Sequence, residues 1–328
     1  MHFTTNTWDS LSIFYSASTT QNYLYSYYTK ESVTDCKTRS YENAPAFMHY
    51  LKSAEMYYRE STRVTFEIQP VLLFYGYIQL IKACLLSLDP FYPSSSSLLA
   101  HGVTTRKRKK QQYEFLKDEV KIQRNGLFPY MSTKMFHVKH LEGEKVVIKD
   151  LLFCLPELTE QFRYFFRNNS FTLQKQECGN YITDSKCLDE FHMPAERLAS
   201  YLNTKSISSV SCKENKAQLF LQFSKPLTLN YHQPFHFDYE RNQFALINKQ
   251  DTMPFTLNEM LIHYLLLYNL SMIARYETEW WMDLNANMPN EDYPFIKRFL
   301  NVTRQKGPLL IKEWLFGERD ILYRKEFN

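Results

Sequence analysis

Glycine is scarce in this chain, with only 7 among 328 residues. So few glycines leave little room for loops that hold phosphate with bare backbone amides, and no G-x-G-x-x-G or P-loop motif occurs. The nucleophile elbow G-x-S-x-G is missing as well, which removes the usual serine-hydrolase signature. Six cysteines are scattered with no Cys-x-x-Cys pair, and Cys84 and Cys154 sit in apolar stretches as small hydrophobes. The first ten residues, MHFTTNTWDS, contain neither a basic nor an apolar run, so no secretory signal is expected. Reduced thiols and a cytoplasmic setting follow as the expectation. Net charge is only +4, too small to argue for nucleic acid by itself.

Aromatic residues and two apolar runs are what the chain does have. It carries 24 Tyr and 25 Phe, enough to build a large core from rings. One apolar run lies near residues 66–88 and the other near 256–275. The first includes Val71 to Leu88, about long enough to span a bilayer. Gln79 and Lys82 interrupt it, so a buried core helix is the better reading and no membrane is expected. Each run is too apolar to face water, and each is a fitting partner for the other.

Local signals extend this pattern. Trp8, Phe14, Tyr23, Leu24, Tyr27 and Tyr28 suggest one or two short helices within 1–40. A helix is predicted from about Ala44 to Arg63, with Pro45 in its first turn. Another runs from Gln69-Pro70 to just before Asp89-Pro90. A short strand is expected over Glu119 to Gln123, and a loop with one helical turn over Gly126 to Met135. Residues 146–167 read as helical, kinked or restarted at Pro156. Strand-like runs follow at Phe171 to Leu173, Ala217 to Phe223, Phe235 to Tyr239 and Gln243 to Asn248, interrupted by a helix at Pro194 to Leu202. Glu240-Arg241-Asn242 fits a hairpin turn. Helices return at Thr256 to Trp281, Tyr293 to Arg304 and Pro308 to Phe316, the first opened by a Thr256/Glu259 capping box. The expected class is mainly α, α+β overall. Residues 1–168 and 253–328 form a helical bundle, and 169–252 form a smaller β-containing insertion.

Three places could carry chemistry. His101-Gly102 follows a serine cluster, and a loop histidine suits acid–base work or simply pins the loop. Arg106, Lys107, Arg108 and the two lysines after them could grip phosphates, with Tyr113 for stacking, or could be solvated loop charge. Arg275 ends the second apolar run beside Tyr276 and Trp281. It either pairs internally while the tryptophans close the bundle, or holds an anionic or planar ligand. Tyr75 on the first run is a further ligand candidate. The histidine and cysteine spacings (His137/His140, Cys178/Cys187/His192/Cys212, His232/His236) complete no metal motif, and no metal or cofactor is expected.

These residues also carry a resemblance. Gln69-Pro70 with Leu72, Leu73, Tyr75, Gly76 and Leu80, then His101-Gly102, then Leu151-Leu152 and Pro156-Glu157-Leu158, then Ser271, Arg275-Tyr276 and Trp281, resemble in order and spacing the YaaC-like family of bacterial proteins. The helix from Pro70 to Gly76 and the His-Gly loop are also similar to the HEPN superfamily of helical bundles. That likeness implies a metal-independent ribonuclease, in which an arginine steadies phosphate and a histidine handles the proton of a ribose 2′-hydroxyl. The sequence departs from the motif, because Ser94, Ser95 and Ser96 stand where the arginine would precede His101. A non-enzymatic binding or regulatory protein is therefore the leading expectation, contacting RNA or a nucleotide-like ligand. A His101 ribonuclease and a structural module that pairs with a protein partner or a second copy are the rivals.

Overall fold

The amino-terminal aromatics enter helices, as their spacing suggests. The computed structural model describes residues 3–105, 113–140, 142–176, 179–205, 208–229, 234–247 and 257–317. In it α1 (Phe3–Leu11) and α2 (Ala17–Lys30) flank a short 3-10 turn, and Phe14, Leu24 and Tyr28 are buried. The Ser16 hydroxyl caps α2 by accepting from the Thr19 amide. α3 (Cys36–Ser61) starts well ahead of the expected Ala44, so Pro45 lies in the helix interior and not in its first turn. Burial of Ser40, Ala44, Phe47 and Leu51 outweighs the interior proline, which costs roughly 3 kcal/mol.

The first apolar run is α4 (Gln69–Leu88), with Pro70 in its first turn and an extended Asp89 ahead of Pro90. Gly76 is needed for a close approach, since a Cβ there would lie 2.8 Å from the Tyr58 ring. β1 (Val103–Thr105), β2 (Glu119–Ile122) and β3 (Lys145–Val147) then form an antiparallel sheet, of which only β2 was expected. Between them, α5 (Leu127–Phe136) is a full helix where a loop with one turn was expected. Residues 148–166 hold α6 (Ile148–Phe153) and α7 (Thr159–Phe166), separated by a 3-10 turn at Pro156–Leu158.

The insertion is a single antiparallel sheet with helices. Its strands are β4 (Ser170–Lys175), β5 (Asn180–Asp184), β6 (Val210–Asn215), β7 (Gln218–Phe223), β8 (Phe235–Asp238) and β9 (Gln243–Ile247), in the order β6-β7-β5-β4-β9-β8. α8 (Lys186–Phe191) and α9 (Ala195–Lys205) lie between β5 and β6. The expected hairpin is present: Asp238 faces Gln243, and Asn242 takes the left-handed conformation of the turn. β5 and β6 were not foreseen. The whole is mainly α with a β-containing insertion.

The second apolar run is α10 (Glu259–Tyr276), followed by α11 (Thr278–Asn287) after a break at Glu277. One helix had been expected up to Trp281. The cap also differs. Asn258 accepts from the Met260 amide, so the helix starts at Glu259, while Thr256 lies outside the described residues. α12 (Asp292–Phe316) is continuous where two helices were expected, with Pro308 inside it. The two apolar helices do pack together. The Tyr77 hydroxyl donates to the Met260 carbonyl at 2.9 Å, and Phe74 meets the edges of Tyr264 and Tyr268.

Glu259 turns into the core because of Lys306. The Lys306 ammonium is fully buried, pairs with Glu259, and lies 2.8 Å from Glu157 Oε1. His236 Nδ1 is 3.6 Å from Glu259 Oε2. Glu157 also accepts from the Tyr239 amide, and its carbonyl accepts from Arg298. α10, α12, β8 and the Pro156 turn thus meet at one ion cluster, which joins sheet to bundle. Burial lifts the Glu157 carboxyl to about 7, against the pull of Lys306. Burial also works to raise Glu259, but Lys306, His236 and His263 outweigh it and hold it at about 2. Burial drops His263 to about 3, with Nδ1 2.9 Å from the Thr303 hydroxyl.

These shifts set a pH response. Unfolded, Glu259 takes its proton near 4.5 and His263 near 6.5; folded, they do so only near 2 and 3. Both contribute stability that is lost as pH falls through that range. Glu157 has the opposite sign: its contribution is present below 4.5 and lost as pH rises through about 7. Between 4.5 and 6.5, Glu157 and His263 offset each other, and below 4.5 Glu259 and His263 act together. Urea midpoints are expected to fall steeply as pH drops below 4.5, and more gently in Glu259→Gln. Equal slopes in the two proteins would contradict an ionised, Lys306-held Glu259.

Candidate functional site

His101 is placed by its backbone. Gly102 adopts φ +76°, and a Cβ there would lie 2.4 Å from Pro129 Cδ and 3.0 Å from the Gly126 backbone, while a Cβ on Gly126 would lie 2.4 Å from the Gly102 backbone. The His101 carbonyl accepts from the Phe128 amide at 3.1 Å and from the Tyr264 hydroxyl at 2.9 Å. Leu127 donates to Ala100, and Gln123 donates to Gly102. Only glycine fits these crossings, which accounts for the His-Gly pair.

The imidazole lies half-buried against Phe74 and Tyr268, with ring centres 5.1 and 5.6 Å away. Two helices bring cations to it. α4 supplies Tyr75 and, two turns on, Lys82; α10 supplies Tyr268 and, two turns on, Arg275. The Arg275 guanidinium donates to the Ser271 carbonyl, to the Tyr75 hydroxyl at 3.2 Å and to Met272 Sδ. It also sits over the rings of Tyr276 and Tyr75, at 5.2 and 5.8 Å. The Lys82 ammonium lies over the Tyr50 ring, and burial lowers its pKa. Among the described residues neither cation has a carboxylate partner. Burial lowers the His101 pKa, and the charges of Arg275 and Lys82 lower it further. The ring is therefore neutral near pH 7, and neither of its nitrogens has a hydrogen-bond partner among the described residues.

His101, Arg275, Tyr75 and Tyr276 thus gather in one place, although 26 residues separate Tyr75 from His101 and 174 separate His101 from Arg275 by subtraction of their numbers. Tyr276 is 58% exposed and available to a ligand. Trp281 is not: its ring is 1% exposed, stacks on Phe66 and donates its N–H to the Glu67 carbonyl. It closes the bundle. Arg106, Lys107 and Arg108 lie outside the described residues. Sequence reasoning missed Lys82 and Tyr268 as site residues. Lys82 had a signal, as a charge inside an apolar helix one heptad after Tyr75, but it was used only as an argument against a membrane.

Other features sit elsewhere. A cavity of about 810 Å³ lies on the open face of the large sheet, lined by Arg163, Thr172, Gln174, Asp184, Lys186 and Gln218 among others, and it does not reach His101. Among the described residues, no three metal-ligating side chains come together; Cys178 and His232 lie outside them. The His101 site thus brings together two half-covered cations, an imidazole and aromatic faces, a set whose chemistry suits an anionic or planar group.

Comparison with known proteins adds one match. The sequence model of the family described as YaaC-like Protein matches residues 12–315. No curated protein and no solved structure matches the chain.

Proton NMR titration of the histidine rings checks the electrostatics. The His101 midpoint is expected below 6.5 and should rise in Arg275→Gln. An unchanged midpoint would mean that the guanidinium charge does not reach the ring.

Proposed function

The chain belongs to the YaaC-like protein family, and from that premise we propose that it is a binding protein for a phosphate-bearing, nucleotide-like ligand, free or within RNA. The site is His101 with Lys82, Arg275, Tyr75, Tyr268 and Tyr276. One arrangement carries the reading. The fully buried Lys306 is neutralised by Glu157 and Glu259, whereas Lys82 and Arg275, half-covered like Arg304, meet no carboxylate among the described residues, and both act on the His101 ring. Desolvating a charge without an opposite one is unfavourable. A phosphate supplies the missing charge, and the tyrosine faces suit a planar base. No disulfide joins the described cysteines, which fits a reducing, cytoplasmic setting.

Fluorescence anisotropy with labelled AMP and a short RNA, across a salt series, tests this. Binding is expected to weaken as salt rises, and to fall by about tenfold in Arg275→Gln or Lys82→Gln, the effect of losing about 1.4 kcal/mol. Binding that ignores salt and both substitutions, or no binding, removes the proposal.

One observation favours a second reading. A neutral His101 beside Arg275 provides the histidine and phosphate-steadying arginine of a metal-independent ribonuclease, with the arginine supplied from α10 and not from upstream in sequence. Mixed RNA incubated with purified wild type should then be cut, and His101→Ala should lose the activity. Equal cleavage by both proteins, or none by either, ends this reading.

A further inference from the structure

The open face of the six-stranded sheet carries chemistry that the His101 site does not use. Alternate residues of β4, β5 and β7, such as Leu173, Tyr181, Leu219 and Leu221, are buried. The residues between them look out on the cavity of about 810 Å³, which α7 and α8 wall on either side. That volume lies within the roughly 300–1,000 Å³ of small-molecule sites. Strand register sorts its floor into two rows. In one, Asp184 of β5 faces Gln218 of β7, and Thr172, two residues before Gln174, continues the row on β4. In the other, Gln174 faces Ile182, which faces Phe220, a ring left 37% exposed. A polar row thus runs beside an apolar one, with neighbouring strands about 4.8 Å apart.

The charges around the cavity cancel. Arg241 is held by Asp238 and Glu160. The other two cations of the lining, Arg163 of α7 and Lys186 of α8, are matched in number by the carboxylates of Asp184 and Glu190. A phosphate would find no surplus of positive charge here. A peptide strand would find no free backbone edge, because β4, β5 and β7 are each paired on both sides. We infer that this cavity binds a neutral oligosaccharide. A pyranose ring has apolar C–H faces and an edge of hydroxyls that both donate and accept. The Gln174 and Gln218 amides and the Thr172 hydroxyl also do both, and Asp184 accepts. Ile182 and Phe220 supply the apolar surface, where the electron-rich aromatic face attracts C–H groups.

Saturation-transfer difference NMR on the full chain tests this, with maltotriose, cellotriose and triacetylchitotriose as probes. One or more of them should show transfer to its ring C–H protons, unchanged by salt and by Arg275→Gln. Affinity should fall about tenfold in Phe220→Ala and in Gln218→Ala. Both positions are exposed, and circular dichroism checks that each variant is folded. No transfer to any of the three sugars, or transfer that ignores both substitutions, overturns the inference. Loss of AMP binding in Gln218→Ala would assign the cavity to a nucleotide. A dimer in light scattering that Phe220→Ala returns to a monomer would assign the face to a second copy. Either result also overturns it. The nucleotide proposal at His101 stands or falls separately, on Arg275→Gln.

Discussion

Lys306 brings a charge to a point that water does not reach, and the fold is arranged around the two carboxylates that meet it there. Neither carboxylate is near it in sequence. Glu157 comes from the turn between α6 and α7, and Glu259 opens the long helix α10. His236 arrives from the sheet. A buried ion group of this kind adds little net stability over an apolar core, but removing one member is costly because it leaves a buried charge unpaired. It ties α10, α12, β8 and the Pro156 turn together at one point. The interior Pro308 follows two residues later, in a helix whose buried stretch from Lys306 to Ile311 holds it continuous.

The same physics frames the His101 site. The deep interior neutralises its charges among themselves. At the meeting of α4 and α10, two cations are half-covered and, among the described residues, meet only neutral acceptors and rings, as Arg304 does on α12. The glycine crossing at 102 and 126 fixes the His101 backbone, its ring lies against Phe74 of α4 and Tyr268 of α10, and Tyr276 nearby on α10 is exposed. Membership of the YaaC-like family covers most of the chain, residues 12–315.

Much of the helical frame was legible, and for a definite reason. α4 and α10 are apolar all round, so only mutual burial could accommodate them, and Tyr77 to Met260 is one of the contacts that results. Prolines misled where burial overrode local preference: Pro45 and Pro308 were taken as helix starts, yet both lie inside longer helices. The Thr-x-x-Glu pattern placed the helix start too early, because Asn258 caps α10 and the Glu259 carboxylate pairs with Lys306. Short strands such as β1, β3, β5 and β6 were missed because a few residues of half-buried strand leave no clear alternation.

By itself the sequence determined the class of the fold, the pairing of its two apolar helices and the scarcity of glycine-based chemistry, because each follows from composition or from periodicity along one segment. It also singled out His101, Tyr75, Arg275 and Tyr276, each odd against its local background. Only the tertiary structure decided that these four stand together, that Lys82 and Tyr268 belong with them, and that Trp281 does not. Charge balance is the physical reason. Whether a cation is paired depends on what other segments bring within a few ångströms, and no window along the chain contains that information.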